Sequence, residues 1–265
     1  RLADGEPVFV EATIEQNFKI TPQQLAAAIT PRTKAIILCS PSNPTGSVYS
    51  LEELEGLAEV LRQHPEVLVI ADEIYEHINY VGKHASIATL PDMQERTAII
   101  NGVSKAYAMT GWRIGFVAAP LALAKAVNKL QGQYTSGAGS ISQKASVAAF
   151  NGDQTPVEEM RQAFLRRKNL IVRLAKEIPG FEVNDPEGAF YLFPKCSSYF
   201  GKTDGTTTIR TSDDFALYLL QEAHVACVGG DSFGSPQCFR MSYATSDENI
   251  VEAMRRIKEA CAKLK

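Results

Sequence analysis

Lys105 lies in the run Ser104-Lys105-Ala106-Tyr107-Ala108-Met109-Thr110-Gly111-Trp112-Arg113-Ile114-Gly115-Phe116, a primary amine set among a hydroxyl, a glycine and a second cation. An amine so placed can condense with a carbonyl to give a Schiff base. A neighbouring cation such as Arg113 lowers its pKa from the reference of about 10.4 toward the neutral, nucleophilic form. Most lysines at strand ends are solvated and inert, so other segments must decide between the two readings.

Four further residues could take part in chemistry. Asp72 follows the apolar run Val67-Leu68-Val69-Ile70-Ala71, where a carboxylate without a partner is costly to desolvate. Tyr75 shares its side of the chain if a helical turn starts at Asp72, and an acid and a phenol at that spacing could hold a ring nitrogen and a phenolic oxygen. A capping aspartate and a packed tyrosine are the structural alternative. Asn43 stands between Pro41 and Pro44, which restrict the backbone and fix the direction of the amide, although Ser-Asn-Pro-Thr-Gly is also ordinary turn chemistry. Arg240 sits within Cys238-Phe239-Arg240-Met241-Ser242-Tyr243. Its planar fork suits a carboxylate of a ligand or of a structural ion pair.

The elements that must position these groups follow from the apolar patterning. Lys34–Cys39, Val67–Ala71, Thr97–Asn101 and Arg113–Ala119 read as strands, the last one buried, and Val8-Phe9-Val10 reads as an opening strand. Ser50 and Glu53 form a capping box for a helix from about Ser50 to Gln63. The alternation predicts an α/β fold with a mainly parallel sheet and helices on both faces. Ligands of such sheets bind beyond the carboxyl ends of the strands, so the loops at Ser40–Gly46, Asp72–Tyr75 and Lys105 should gather at one edge. A long charged helix near 156–177 joins residues 1–165, part of a large domain, to a smaller α+β domain at 166–265. The smaller domain should have strands at 181–183, 189–193, 225–228 and 238–244 and helices at 212–223 and 247–263.

Composition narrows the classes. The 265 residues carry a net charge of -3 and so offer no basic field for nucleic acid. The apolar runs are strand-length and too short to cross a membrane as helices. Five cysteines without a C-x-x-C pair argue against a disulfide framework and fit a reducing cytoplasm. Four histidines without ligand spacing are expected at the surface, and no metal site is expected. The start at Arg1, without a methionine or a signal-like segment, looks like a start in mid-fold.

In this order and spacing, Ser42-Asn43-Pro44-Thr45-Gly46, Ala71-Asp72-Glu73-Ile74-Tyr75, Ser104-Lys105 with Gly111-Trp112-Arg113-Ile114-Gly115, and Phe239-Arg240-Met241-Ser242 resemble the fold-type I pyridoxal-phosphate enzymes. Within these they resemble the class I/II aminotransferases of the aspartate aminotransferase group, over essentially the whole chain. The resemblance implies pyridoxal 5'-phosphate held by Lys105 as a Schiff base, with Asp72 on the pyridinium nitrogen and Tyr75 and Asn43 on the ring O3′. It gives the phosphate to Ser104 and Arg113, and the substrate α-carboxylate to Arg240 assisted by Asn43. It further implies transfer of an amino group between an amino acid, aspartate or a relative, and a 2-oxo acid such as 2-oxoglutarate. The full-length protein would be a cytoplasmic homodimer.

Three departures qualify the resemblance. Many relatives carry a phosphate-binding serine where this chain has Gly102. No arginine lies between Gln131 and Gln143 to read a second carboxylate. About a third of a typical member is absent at the front, including the glycine loop at the phosphate and the aromatic residue stacked on the ring. This chain is therefore expected to bind cofactor poorly and to be inactive by itself. A sensor domain of a transcription regulator, or a lyase or synthase of the same fold, are the alternative readings.

Overall fold

The computed structural model describes residues 4–265, which group into two compact units. Ile20–Ser42 and Val48–Arg161 form a sheet unit. The described residues up to Lys19, together with Asn43–Ser47 and Gln162–Lys265, form a C-terminal unit.

The sheet unit is built on β1 (Ala35–Cys39), β2 (Leu68–Asp72), β3 (Thr97–Gly102) and β4 (Gly115–Ala118), which lie side by side in chain order. The first three are parallel, with Cys39 opposite Asp72 and Asp72 opposite Ile100, whereas β4 is antiparallel to β3 with Gly102 opposite Gly115. Side chains alternate between the faces of a strand. Leu38, Val69 and Ala71 accordingly enter one core together with Leu25 of α1 (Pro22–Ala28) and Leu54, Leu57, Ala58 and Leu61 of α2 (Leu51–Arg62). Each such leucine contributes about 1.5–3 kcal/mol by leaving water. Leu68, Ile70 and Asp72 fall on the opposite face, where Ile37 is 74% and Ile100 37% exposed. Asp72 thus ends a central strand on the open face of the sheet.

Local chemistry sets the helix starts. Ser50 Oγ accepts from Glu53 N at 3.1 Å and Glu53 Oε2 accepts from Ser50 N at 2.8 Å, the capping box expected for α2. The buried Arg96 donates from Nη1 to Leu61 O at 2.6 Å and from Nε to Val67 O at 3.0 Å, joining the end of α2 to the approach to β2. After β4 come α3 (Leu121–Tyr134), which buries no residue, then α4 (Ser140–Asn151) and α5 (Thr155–Lys176), which runs through the boundary at Arg161.

The strand expected over Arg113–Ala119 is shorter and open. It forms an antiparallel edge with Phe116 exposed, because a strand at the sheet edge has one neighbour and no layer over it here.

In the C-terminal unit β5 (Tyr191–Leu192), β7 (Phe239–Ser242) and β6 (Val228–Gly229) form an antiparallel sheet with β7 central. Phe181, Tyr199, Phe215 and Phe239 pack beneath it, with Phe215 and Phe239 5.1 Å apart between ring centroids. The helix expected over 212–223 is α6 (Ser212–Tyr218) continued by a π-helical turn at Leu219–Ala223, and α7 spans Asp247–Lys263. Two expected strands are absent as such. Val8-Phe9-Val10 is irregular, with Phe9 80% exposed, and residues 181–183 make only the single bridge Glu182 to Lys195. An apolar run needs a partner edge to become a strand, and neither segment has one along its length. No described helix is long and apolar enough to cross a membrane.

Candidate functional site

The carboxyl ends of the parallel strands are knitted together by backbone hydrogen bonds that outlast the strands themselves. Ser40 N donates to Asp72 O at 3.1 Å and Glu73 N donates to Ile100 O at 2.9 Å, so the segments leaving β1, β2 and β3 start from one edge. Asp72 Oδ1 accepts from Ile74 N at 3.2 Å, which sets the turn that follows. Glu76 N to Glu73 O and Ile78 N to Tyr75 O close that turn and seat the Tyr75 ring, which is 3% exposed. Lys105 Nζ lies 5.7 Å from the centroid of the same ring, so residues thirty positions apart in the sequence meet at one place.

The approach to Lys105 depends on Gly102. A Cβ there would stand 2.7 Å from Ile114 O and 2.9 Å from Gly115 Cα, so the close approach of β4 requires glycine. Its own amide donates to Asn101 Oδ1 at 2.7 Å and is thereby used within the protein. Beyond it, Thr110 Oγ1 donates to Ser104 O at 3.0 Å and Arg113 Nη1 donates to Thr110 O at 2.8 Å. Thr110 therefore ties the two residues expected at a phosphate to each other. Sequence reasoning passed it over, although it lies inside the lysine run and its hydroxyl was the available signal. Arg113 itself is exposed and left-handed at φ 56°.

In the C-terminal unit Arg240 Nη1 donates to Asn43 Oδ1 at 2.8 Å. The guanidinium carbon lies 4.7 Å from the Tyr191 ring and 4.9 Å from the Phe233 ring, two contacts that sequence spacing does not reveal. Among the described residues no carboxylate pairs with Arg240, so its remaining donors are available to a planar anion. The turn carrying Asn43 is pinned by Asn184 Nδ2 to Thr45 O at 2.8 Å and by Glu187 N and Gly188 N, each 2.8 Å from Gly46 O. Gly46 has φ +71°, and a Cβ on it would stand 2.6 Å from Pro186 Cβ, so glycine is obligatory.

One histidine departs from the surface placement expected for it. The His84 side chain is only 12% exposed, with Nε2 3.0 Å from Oε2 of the buried Glu73. Nearby, His77 Nε2 lies 3.2 Å from Glu76 Oε1. The hydrogen bond with His77 holds Glu76 below the usual carboxylate range and raises the His77 imidazole in turn. The five cysteines are free. Burial pushes Cys227, Cys238 and Cys261 up to about 12, away from the reactive thiolate form.

A lysine, an acid and a buried phenol at the carboxyl edge of a parallel sheet define a class of protein, and the comparisons agree on which one. The family profile described as aminotransferase class I and II matches residues 1–257, and the chain belongs to that family. It is 47% identical over 271 residues to a bifunctional aspartate aminotransferase and glutamate/aspartate-prephenate aminotransferase of Petunia hybrida, covering all of this chain and 56% of that protein. It is 51% identical to an aspartate aminotransferase of Geobacillus stearothermophilus, over 97% of this chain and 65% of that protein. The crystal structure of the aspartate aminotransferase from Rhizobium meliloti superposes with a TM-score of 0.95 at 45% identity, covering 100% of this chain and 67% of that one. The chain thus spans between about half and two thirds of the length of these relatives.

Proposed function

We propose that this chain carries cofactor- and substrate-binding residues of a pyridoxal-phosphate-dependent aminotransferase that exchanges an amino group between aspartate or a related amino acid and a 2-oxo acid such as 2-oxoglutarate. The observation that carries the reading is Lys105 Nζ over the buried Tyr75 ring, on a turn that begins at Asp72. Identity near 50% with aspartate aminotransferases supports the same reaction class.

The residues fit the cofactor chemically. Asp72, at the end of an apolar strand, offers a carboxylate to a protonated ring nitrogen, and Tyr75 offers a phenol to the ring oxygen. Ser104 and Arg113, tied through Thr110, offer a hydroxyl and a cation to a phosphate. When bound, pyridoxal phosphate supplies an electron sink that stabilises negative charge at the substrate Cα. Lys105 Nζ, once displaced by the substrate amine, would take the proton from that carbon as general base and deliver it as general acid to the cofactor C4′ rather than back to Cα. Arg240, aimed by Asn43 and flanked by two rings, offers its planar fork to the α-carboxylate of the substrate. With the Gly102 amide already engaged by Asn101, the phosphate depends the more on Ser104 and Arg113.

The proposal extends to a cytoplasmic homodimer organised as a large domain through residue 165 and a small one after it. Leu121, Leu130 and Tyr134 of α3 and Ile141 of α4 are exposed apolar residues of the kind a second copy covers. The reaction is tested on the full-length protein by reducing it with borohydride after cofactor treatment and mapping the modified peptide. A pyridoxyl mass on Lys105, lost in Lys105→Ala together with turnover, is the expected result. Label on another lysine, or transamination by Lys105→Ala at the normal rate, would overturn the assignment.

A further inference from the structure

We infer that Glu73, Glu76 and His84 form a binding site for a divalent transition-metal cation of the zinc or manganese type, a site separate from the groups assigned to cofactor and substrate. Each residue offers one ligand atom, and the three atoms lie within 4.8 Å of one another. Glu73 is 5% exposed, and its Oε1 accepts from Ser86 Oγ at 2.5 Å, which orients Oε2 toward His84.

The geometry at His84 distinguishes a ligand set from an ordinary ion pair. Its Nε2 is 3.0 Å from Glu73 Oε2, yet among the described residues neither Nε2 nor Nδ1, both buried, has a hydrogen-bond partner. An imidazole always carries at least one N–H, and burying it unsatisfied costs about 1–3 kcal/mol. The 3.0 Å between His84 Nε2 and Glu73 Oε2 is also within the span of two ligands of one ion. With bonds of about 2.0–2.2 Å, ligands at right angles lie roughly 3.0 Å apart and tetrahedral ones roughly 3.4 Å apart.

The third ligand and the open side are also provided. Glu76 contributes a carboxylate oxygen to the same group of ligand atoms, and its Oε1 lies 3.2 Å from His77 Nε2. A cavity of about 680 Å³ is lined by Glu76, Asn79 and His84, with Lys83 and Arg161 also on its wall, which leaves room for water ligands beside the three residues. Asn79 is 4% exposed, and its Nδ2 has no hydrogen-bond partner in the structure, so it can donate to a water or anion that completes the coordination. One imidazole with two carboxylates favours a first-row transition ion over calcium or magnesium, which prefer all-oxygen sites. Glu73 and Glu76 are the chain neighbours of Asp72 and Tyr75, so an ion here would brace that turn against the loop at His84.

The site is tested on the chain freed of metal by a chelator, without added cofactor, so the result does not depend on the proposed reaction. Co²⁺ titration followed by visible absorbance should saturate at one ion per chain and be reversed by Zn²⁺. His84→Gln and Glu76→Gln should each weaken binding at least tenfold, while His224→Gln, an exposed histidine of the C-terminal unit, should leave it unchanged. Circular dichroism melting checks that the variants fold. If His84→Gln does not fold, the half-buried Glu76 provides the decisive variant. No saturable band in millimolar Co²⁺, or variants that titrate like the parent, would overturn the site in favour of a plain Glu–His ion pair.

Discussion

Arg240 donates to Asn43 across 2.8 Å while its guanidinium rests against Tyr191 and Phe233, so the fork is held in one orientation before any ligand arrives. Such preorganisation matters for an arginine that reads a carboxylate, because both oxygens must be met at once. Arg240→Lys keeps the charge but loses the planar fork and the ring contacts. Losing one charged hydrogen bond, about 1.5–3 kcal/mol, should raise KM for the amino acid roughly 10–100-fold. The cofactor absorbance should be unchanged. Initial rates of the full-length protein over a range of aspartate with 2-oxoglutarate give the measurement, and a KM within twofold of the parent would remove Arg240 from carboxylate recognition.

Much of this arrangement is written locally in the chain. An acid after five apolar residues marks Asp72 as a strand end, and Ser50 with Glu53 fixes the start of α2, because both signals act within a few residues. The bounds of α7 follow in the same way from Ser246, which accepts from Asn249 N, and from its apolar period. What the chain does not state locally is who lies next to whom. Apolar runs made Val8-Phe9-Val10 and the stretch after Arg113 look alike, but only the second finds an edge, that of β3. The grouping of Asn43–Ser47 with the C-terminal unit, and the burial of His84 against Glu73, likewise come from tertiary packing that no spacing rule encodes.

Gly102→Ser would restore the hydroxyl that many relatives are expected to carry here, yet the backbone forbids it. The new Cβ would meet Ile114 O and Gly115 Cα, backbone atoms of the β4 side that cannot rotate away. Overpacking of this kind costs about 1–3 kcal/mol. The melting temperature should fall by roughly 2–10 °C. Calorimetry of the variant checks this, and an unchanged melting temperature would mean that β4 moves aside freely.

Thr110→Val tests whether the link between Ser104 and Arg113 serves the phosphate. The variant keeps the shape of the side chain and removes the hydroxyl that donates to Ser104 O. A hydrogen bond of this kind is worth about 0.5–1.5 kcal/mol, so cofactor affinity should drop roughly 2–10-fold. The effect should appear in an absorbance titration of the full-length protein with pyridoxal phosphate and exceed any loss seen in the thermal melt of the cofactor-free protein. Equal losses in both would make Thr110 a purely structural residue.

The Glu76–His77 pair should give stability a two-sided dependence on pH. The Glu76 pKa is lowered, first by the hydrogen bond with His77, so its contribution is complete above the ordinary value of 4.5 and is lost as pH falls through the folded pKa. The His77 pKa is raised, first by the same bond, so its contribution is complete below the ordinary value of 6.5 and is lost as pH rises through the folded pKa. Both are intact between these two ordinary values. Measured without metal, the difference in melting temperature between the parent and Glu76→Gln should therefore be largest in that window and shrink on either side. Because the histidine loses its anionic partner, its NMR titration midpoint should move down in Glu76→Gln. A midpoint that stays in place would show that the two side chains do not interact in solution, and the pH dependence of the melt would then have to arise from other groups.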